Sequence, residues 1–557
     1  MSYWRLSGGT VYDPANEING EVRDVWIAEG RIVPTPQVGE QPKFQTLDCQ
    51  GRVVMPGGVD MHSHIAGHKV NVARKLQPEL SLARGGRAGV VPGMPTEDWR
   101  ITGNRTVPTI IDTGLKYLGL GYTTAFDAAI APTAVRSTRA ELRQLPYLDA
   151  GYFLLLGNHH FLLDAASRGD QAAATRFLSW VLRRCGGYAP KLVNPGGVEN
   201  FKQHRAGNAR DLETPISGFG TTPRRVIETL AEAAENLKLP HPVHIHCNNL
   251  GLPGNFQTTL ETMRTLDGRR GHFAHIQFHS YGGSGENETA FCSRVQPLAD
   301  YVNGHPEISL DVGQVLFGST TSMTGDNALG YYLARLSGQR YYSCDTEVES
   351  GCGISPIEYK AKNFVHAMQW AIGLEWFLSV RNPWQLALTT DHPNGASFLA
   401  YPQIIRLLMD SSYRRERLQE VHPRVLEHSA LPDLDREYSL AEIAIITRAA
   451  PARLLGLKEK GHLGPGADAD LTLYTPQADR EQMFQFPWVV FKAGELVLRD
   501  GELLAPPQQA RILSLPPAPA DVEDSEFDSW VSRHYSFRAE QFGLERTSRP
   551  KALSRDD

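Results

Sequence analysis

Two histidines stand two residues apart in Val59-Asp60-Met61-His62-Ser63-His64, directly after the apolar run Val53-Val54-Met55 and the turn-forming Pro56-Gly57-Gly58. Residues i and i+2 of a strand face the same side, so both imidazoles can reach one metal ion. With 19 histidines in 557 residues, an H-x-H is a weak signal alone. It becomes a constraint through distant partners: Lys191, histidines on two later strand-like runs, and the aspartate of Thr390-Asp391-His392-Pro393. Ligands carried by successive strands call for a fold that gathers strand ends at one place.

A (β/α)8 barrel of α/β class does this, because its active sites lie at the C-terminal ends of parallel strands. The middle of the chain alternates strand-like and helical patterns, as in residues 222–239 followed by Pro242-Val243-His244-Ile245-His246-Cys247, the order of βα units. The first 55 residues read instead as short strands and turns, and that style returns in Gly464–Tyr474 and Val489–Val497. The two chain ends are therefore expected to build one small β domain from residues 1–55 and 451–503. Residues 56–450 form the barrel, with a long Gly-, Pro- and Arg-rich insertion near 68–108 over its mouth. Residues 504–557 form a proline-rich C-terminal arm, partner-binding or poorly ordered, with one helix expected at Asp524–Tyr535.

Composition narrows the class. The net charge of −6 and the lack of basic runs interleaved with aromatics argue against a nucleic-acid partner. No stretch approaches the roughly 18 apolar residues of a membrane span, and the start MSYWRLSGGTVYD lacks the features of a signal peptide, so a cytoplasmic protein is expected. Six scattered cysteines without C-x-x-C spacing read as reduced thiols rather than a disulfide framework or an iron–sulfur site. Hydrolytic chemistry is the expectation that remains.

On the barrel, His62 and His64 end strand 1. Lys191 lies in Ala189-Pro190-Lys191-Leu192-Val193-Asn194-Pro195-Gly196-Gly197, the expected strand 4. A lysine turned into a metal site is useless as a cation; as a neutral amine it can take up carbon dioxide and bridge two metals as a carbamate. The bland alternative is a lysine snorkelling at the rim. His244 and His246 alternate in the expected strand 5, and His246 is favoured as nearer the strand's end. In Gly271–His279, read as strand 6, His275 and His279 share a face; His275 is favoured as ligand, leaving His279 for the substrate. Asp391 ends the apolar run of strand 8. It can hold a metal, accept the proton of the attacking water and pass it to a leaving amine, although an Asp there could also simply cap the next segment. His392 is read as a residue behind the ligands.

The set His62-x-His64, Lys191, His246, His275 and Asp391, with Gly466-Ala467-Asp468-Ala469-Asp470-Leu471 near the end, resembles the amidohydrolase superfamily in the order used by its dihydroorotase and hydantoinase branch. Longer phrases, Lys191–Gly197, His246–Gly251, His275–Gly282 and Asp311–Gly318, are similar to the members of that superfamily that serve as subunits of formylmethanofuran dehydrogenases and of formyltransferase/hydrolase complexes. That resemblance implies two Zn2+ ions, a carboxylated Lys191 (N6-carboxylysine), Asp391 as the catalytic acid, and Asn194, Asn248 and His279 toward the substrate. It further implies hydrolysis of the formamide of N-formylmethanofuran, or of its methylofuran analogue, to formate and the free amine. The implied partners are a formyltransferase subunit, other subunits of the complex, and a carrier with a polyglutamate tail. Only 13 of the 56 basic residues are lysine, an arginine bias read as genome composition that favours a bacterial hydrolytic complex. Three alternatives stand beside this reading: the reverse, condensing reaction; hydrolysis of a cyclic amide as in hydantoinases and dihydroorotases; and a scaffold without activity. Bound metal would separate the last from the others, since a fold alone does not decide function.

Overall fold

Strands and helices alternate through the middle of the chain because apolar runs too short for helices are separated by capped, one-faced helical segments. The computed structural model describes residues 3–36, 43–77, 108–203, 208–284, 290–326, 329, 349, 353–506, 510–515 and 524–543. Eight strands follow one another in space as in sequence: β1 (Gly58–Ser63), β2 (Tyr122–Ile130), β3 (Asp149–Leu155), β4 (Pro190–Val193), β5 (Val243–His246), β6 (Gly271–Phe273), β7 (Ile308–Asp311) and β8 (Leu386–Ala387). All neighbouring pairs are parallel. Ser63 bridges to His392 in parallel sense and His64 N donates to His392 O at 2.8 Å, bringing the two edges together. The result is the expected (β/α)8 barrel.

The helix Pro223–Asn236 shows how local sequence builds the outer layer. Thr222 accepts from Arg225 N, Pro223 occupies the first turn, and Val226, Ile227, Leu230, Ala231, Ala233 and Ala234 are buried on one side. Capping, a proline where no N–H is needed, and apolar spacing of three and four residues agree. The strands it covers, β4 and β5, are buried on both faces, as expected of a parallel sheet inside a layer of helices.

The chain ends meet in a nine-stranded sheet. Tyr3–Asp13 pairs with Ile18–Ala28 and with Val53–Pro56, and Val53–Pro56 pairs antiparallel with Leu471–Tyr474, Leu471 opposite Pro56. The Gly466–Leu471 phrase clamps this sheet to the floor of the barrel. Lys460 Nζ lies 2.6 Å from both Asp149 Oδ2 and Asp470 Oδ2 and 3.0 Å from Asp468 Oδ2, and Lys492 Nζ lies 2.9 and 2.7 Å from Asp149 Oδ2 and Asp470 Oδ2.

One expectation changes. Where described, the residues after Leu503 are not a loose arm: Ile512 bridges to Ala150, and the helix Asp524–His534 buries Phe527 against Phe161, Phe177 and Trp180, each at 5.4 Å between ring centroids. Three aromatic contacts supply the apolar area that holds so short a helix in place. Of the expected insertion near 68–108, the first part is the helix His68–Lys75, whose buried Arg74 pairs with Glu141 at 2.8 Å; residues 78–107 lie outside the described residues.

Candidate metal centre

The strand ends converge as barrel geometry requires. His62 is fully buried with Nε2 3.1 Å from Asp391 Oδ1, and His64 Nε2 lies 3.1 Å from the same oxygen. On β4, Lys191 is opposite His244 of β5, and His246 pairs with Val193 one step nearer the mouth. Three residues at strand ends take left-handed backbone: Asn194 (φ 42°), His275 (φ 33°) and Asp391 (φ 50°). Non-glycine residues held there mark positions that the surrounding structure over-determines. Gly313 answers the bend at His275, since a Cβ on it would come within 2.4 Å of His275 Cβ.

The run Gly271–His279 is not one strand. β6 ends at Phe273, His275 turns the backbone, and Ile276–His279 form a 3-10 turn, so His275 and His279 meet by turn geometry rather than strand alternation. Their rings stack at 5.3 Å between centroids. His244 and His246 separate as alternation demands. His244 Nε2 faces His62 Nδ1 at 3.0 Å inside the barrel, beneath the mouth, whereas His246 sits toward the mouth 4.7 Å from the His275 ring. His392 packs its ring edge-on against Phe398 at 4.8 Å, behind the cluster.

The electrostatics suit a cation. Burial pushes His275, His279 and His246 below the usual histidine range, leaving neutral imidazoles with free lone pairs. Burial alone would raise Asp391, but His275 and His62 outweigh it and hold the carboxyl well below the usual carboxylate range. Lys191 is 1% exposed, and burial pushes its amine down to about 8 against the pull of the Asp311 and Asp391 carboxylates.

Among the described residues His246 Nε2, His275 Nδ1 and Lys191 Nζ are buried without a hydrogen-bond partner, and His62 Nε2 faces only the Asp391 carboxylate at 3.1 Å. Orphaned buried polar atoms are costly, and a divalent ion is the partner such a set fits. Of four groups of three whose ligand atoms lie within 4.8 Å of one another among the described residues, two share His275 at the mouth, His62 with His275 and Asp391, and His246 with His275 and His279; the others are His62 with His244 and Asp311 beneath them, and the Asp149, Asp468 and Asp470 carboxylates of the clamp. The residues present therefore fit a metal site of one or two ions, with the buried Lys191 amine within electrostatic reach of Asp311 and Asp391.

The sequence reading missed Asp311 as a site residue. Its Oδ2 takes His62 Nδ1 at 2.9 Å and His272 Nε2 at 3.1 Å, and its Oδ1 accepts from His275 N at 2.9 Å and Thr389 Oγ1 at 2.8 Å. The signal was present, an apolar strand Ile308-Ser309-Leu310 ended by an acid like the run before Asp391. Asn194 and Asn248 also have work inside the protein: Asn248 Nδ2 donates to Asn194 Oδ1 at 2.8 Å, and Asn194 Nδ2 donates to Asp326 Oδ1 at 3.0 Å.

Comparison with known proteins agrees with this geometry. Residues 45–502 match the model of the amidohydrolase family. The chain is 41% identical over 523 residues to protein FwdA of Methanocaldococcus jannaschii, covering 90% of this chain and 88% of that one. It is 38% identical over 505 residues to one subunit of the formyltransferase/hydrolase complex Fhc of Methylorubrum extorquens, covering 90% and 89%. Among solved structures, a chain of the FhcABCD complex of Methylorubrum extorquens with methylofuran superposes with a TM-score of 0.88 at 35% identity, covering 97% of this chain and 96% of that one. With its barrel, its converging histidines and these relatives, the chain belongs to the amidohydrolase family, on the side of FwdA and its Fhc counterpart.

Proposed function

We propose that this protein hydrolyses the formamide of a formylated furfurylamine carrier, N-formylmethanofuran or its methylofuran analogue, as the hydrolase subunit of a formyltransferase/hydrolase complex. The observation that carries the reading is a buried set of candidate ligands, His62, His64, Lys191, His246, His275 and Asp391, in which His246 Nε2, His275 Nδ1 and Lys191 Nζ have no hydrogen-bond partner among the described residues, in a chain that matches one member of a methylofuran-containing complex along nearly its whole length. His62, His64 and Asp391 would hold one Zn2+ and His246 and His275 the other. Lys191, its amine converted to a carbamate with loss of one proton, would join the two. Zinc supplies Lewis acidity for the carbonyl and a water acidic enough to attack near neutral pH.

Asp391 accepts the proton of the attacking water and delivers it to the amine nitrogen as the C–N bond breaks, giving formate and the free amine. No Ser or Cys nucleophile is needed. In this reading His279 and the Asn194–Asn248 pair would face the formamide and its carrier. Because the same groups would serve the condensation of formate with the amine, direction is set by the partner subunits and by concentrations.

Metal content of the purified protein, measured with formate release from a formylated furfurylamine and with hydrolysis of hydantoin and dihydroorotate, tests the reading. About two zinc ions with formate released from the formamide alone support it. Ring opening of the cyclic amides moves the protein to another substrate class, and absence of both metal and turnover makes it a scaffold.

A further inference from the structure

Between β7 and β8 the chain leaves the barrel for an antiparallel hairpin, Gly318–Thr324 paired with Gly353–Tyr359. The hairpin is hooked onto the segment that follows Asp391: Met323 N donates to Asn394 Oδ1 at 2.6 Å, Tyr359 OH donates to Asn394 O at 3.0 Å, and the Thr320 hydroxyl donates to Pro393 O. Its first strand leads to Asp326, which is 2% exposed. Asp326 N donates to Thr324 Oγ1 at 2.9 Å, and Asp326 Oδ1 is held by Asn194 Nδ2 at 3.0 Å, itself braced by Asn248. The other oxygen, Oδ2, lies 3.7 Å from His246 Nε2.

That separation is too long for a hydrogen bond and close to the spacing of two donors on one ion. Bonds of about 2.0–2.2 Å in tetrahedral array place neighbouring donors about 3.4 Å apart. His246 Nε2 has no hydrogen-bond partner among the described residues, and neither ring nitrogen of His279 has one. One nitrogen from each of His246, His275 and His279 lies within 4.8 Å of the other two. Asp326 is buried beside His246, and a carboxylate out of reach of water is costly unless a cation or further donors join it.

We propose that Asp326 is a carboxylate donor to the second metal position, beside His246, so that this position is completed by a mouth hairpin and not by barrel strands alone. The inference rests on the two-metal reading above. Asn194 and Asn248 then act as positioning residues that aim one carboxylate oxygen by holding the other.

The test uses the full chain, stripped of metal and reloaded with Co2+, reading tight equivalents by equilibrium dialysis and the visible spectrum of the bound ion. Wild-type protein takes up two equivalents. Asp326→Asn is expected to keep the first and bind the second roughly tenfold or more weakly, with a changed spectrum. If Asp326→Asn binds two equivalents with wild-type affinity and spectrum, the Asp326 assignment is overturned while the two-metal reading stands. A wild-type protein that takes up fewer than two overturns both. Should Asp326→Asn fail to fold, Asp326→Glu decides: a displaced carboxylate that is a donor shifts the cobalt spectrum, and one that merely holds the loop leaves it unchanged and sinks the proposal.

Discussion

Asp311 Oδ2 takes the Nδ1 of His62 at 2.9 Å, and this contact selects which nitrogen His62 presents to the site. With Nδ1 engaged, Nε2 is left facing Asp391 Oδ1 at 3.1 Å. A carboxylate behind a ligating imidazole fixes its tautomer and orientation and raises its basicity. Asp311→Asn is therefore expected to weaken metal retention roughly 10–100-fold. Competition with a chelator reads the effect, and a wild-type metal affinity would remove Asp311 from this role.

Asp391 carries the proton in the proposed reaction. Asp391→Asn should lower formate release by roughly 10²–10⁴-fold while the circular dichroism spectrum stays that of the parent. Near-normal hydrolysis by this variant would show that another group moves the proton.

Lys191 is useful to two metals only as a carbamate. Metal-free protein reconstituted in carbon dioxide-depleted buffer should take up fewer than two zinc ions, with added bicarbonate restoring the second. Lys191→Met should not respond to bicarbonate. Uptake of two ions without regard to bicarbonate would mean that the lysine is not carboxylated.

The clamp beneath the barrel governs stability. Burial raises Asp149 and Asp470, but the Lys492 and Lys460 ammonium groups outweigh it and leave both carboxyls below their ordinary range. Depressed folded values mean that the contribution is present above the unfolded carboxylate pKa of about 3.9 and is lost as the pH falls below it. Lys460, raised by the same partners against burial, keeps its share up to the unfolded lysine value of about 10.4 and loses it above. Lys460→Met leaves the clustered acids short of a cation and should cost about 3–5 kcal/mol near neutral pH. Urea unfolding of the variant checks this, and the deficit should shrink in acid as the carboxyls protonate in both proteins.

The tail helix offers a separate test. Phe527→Ala removes a fully buried ring packed on three aromatics and should cost about 3–5 kcal/mol. Limited proteolysis should then cut near residues 524–534 faster than in the parent, and unchanged cleavage would show that the helix is held by other contacts.

Much of the barrel was legible because its signals are local. β1 and β5 were marked by histidines two residues apart, β4 and β8 by short apolar stretches closed by a polar residue, and the helix Pro223–Asn236 by Thr222, Pro223 and its apolar spacing. The Gly271–His279 run misled because alternation cannot reveal where a strand stops. His275 bends the chain through a left-handed conformation that Gly313, far away in sequence, makes room for. Asp326 was invisible for a related reason: nothing near it resembles a strand end, and its place depends on a hairpin hooked to Asn394.

Residue types, their order and the apolar periodicity determined the barrel, the β-rich chain ends and the candidate ligands, since burial and side-chain alternation act over a few neighbours. Only the tertiary structure decided which nitrogen of His62 turns outward, that His244 lies beneath the site while His246 faces it, and that Asp311 stands behind His62 and Asp326 beside His246. These are contacts between residues far apart in the chain, such as the 249 positions from His62 to Asp311, and short-range pattern carries no information about pairs that closure of the barrel brings together.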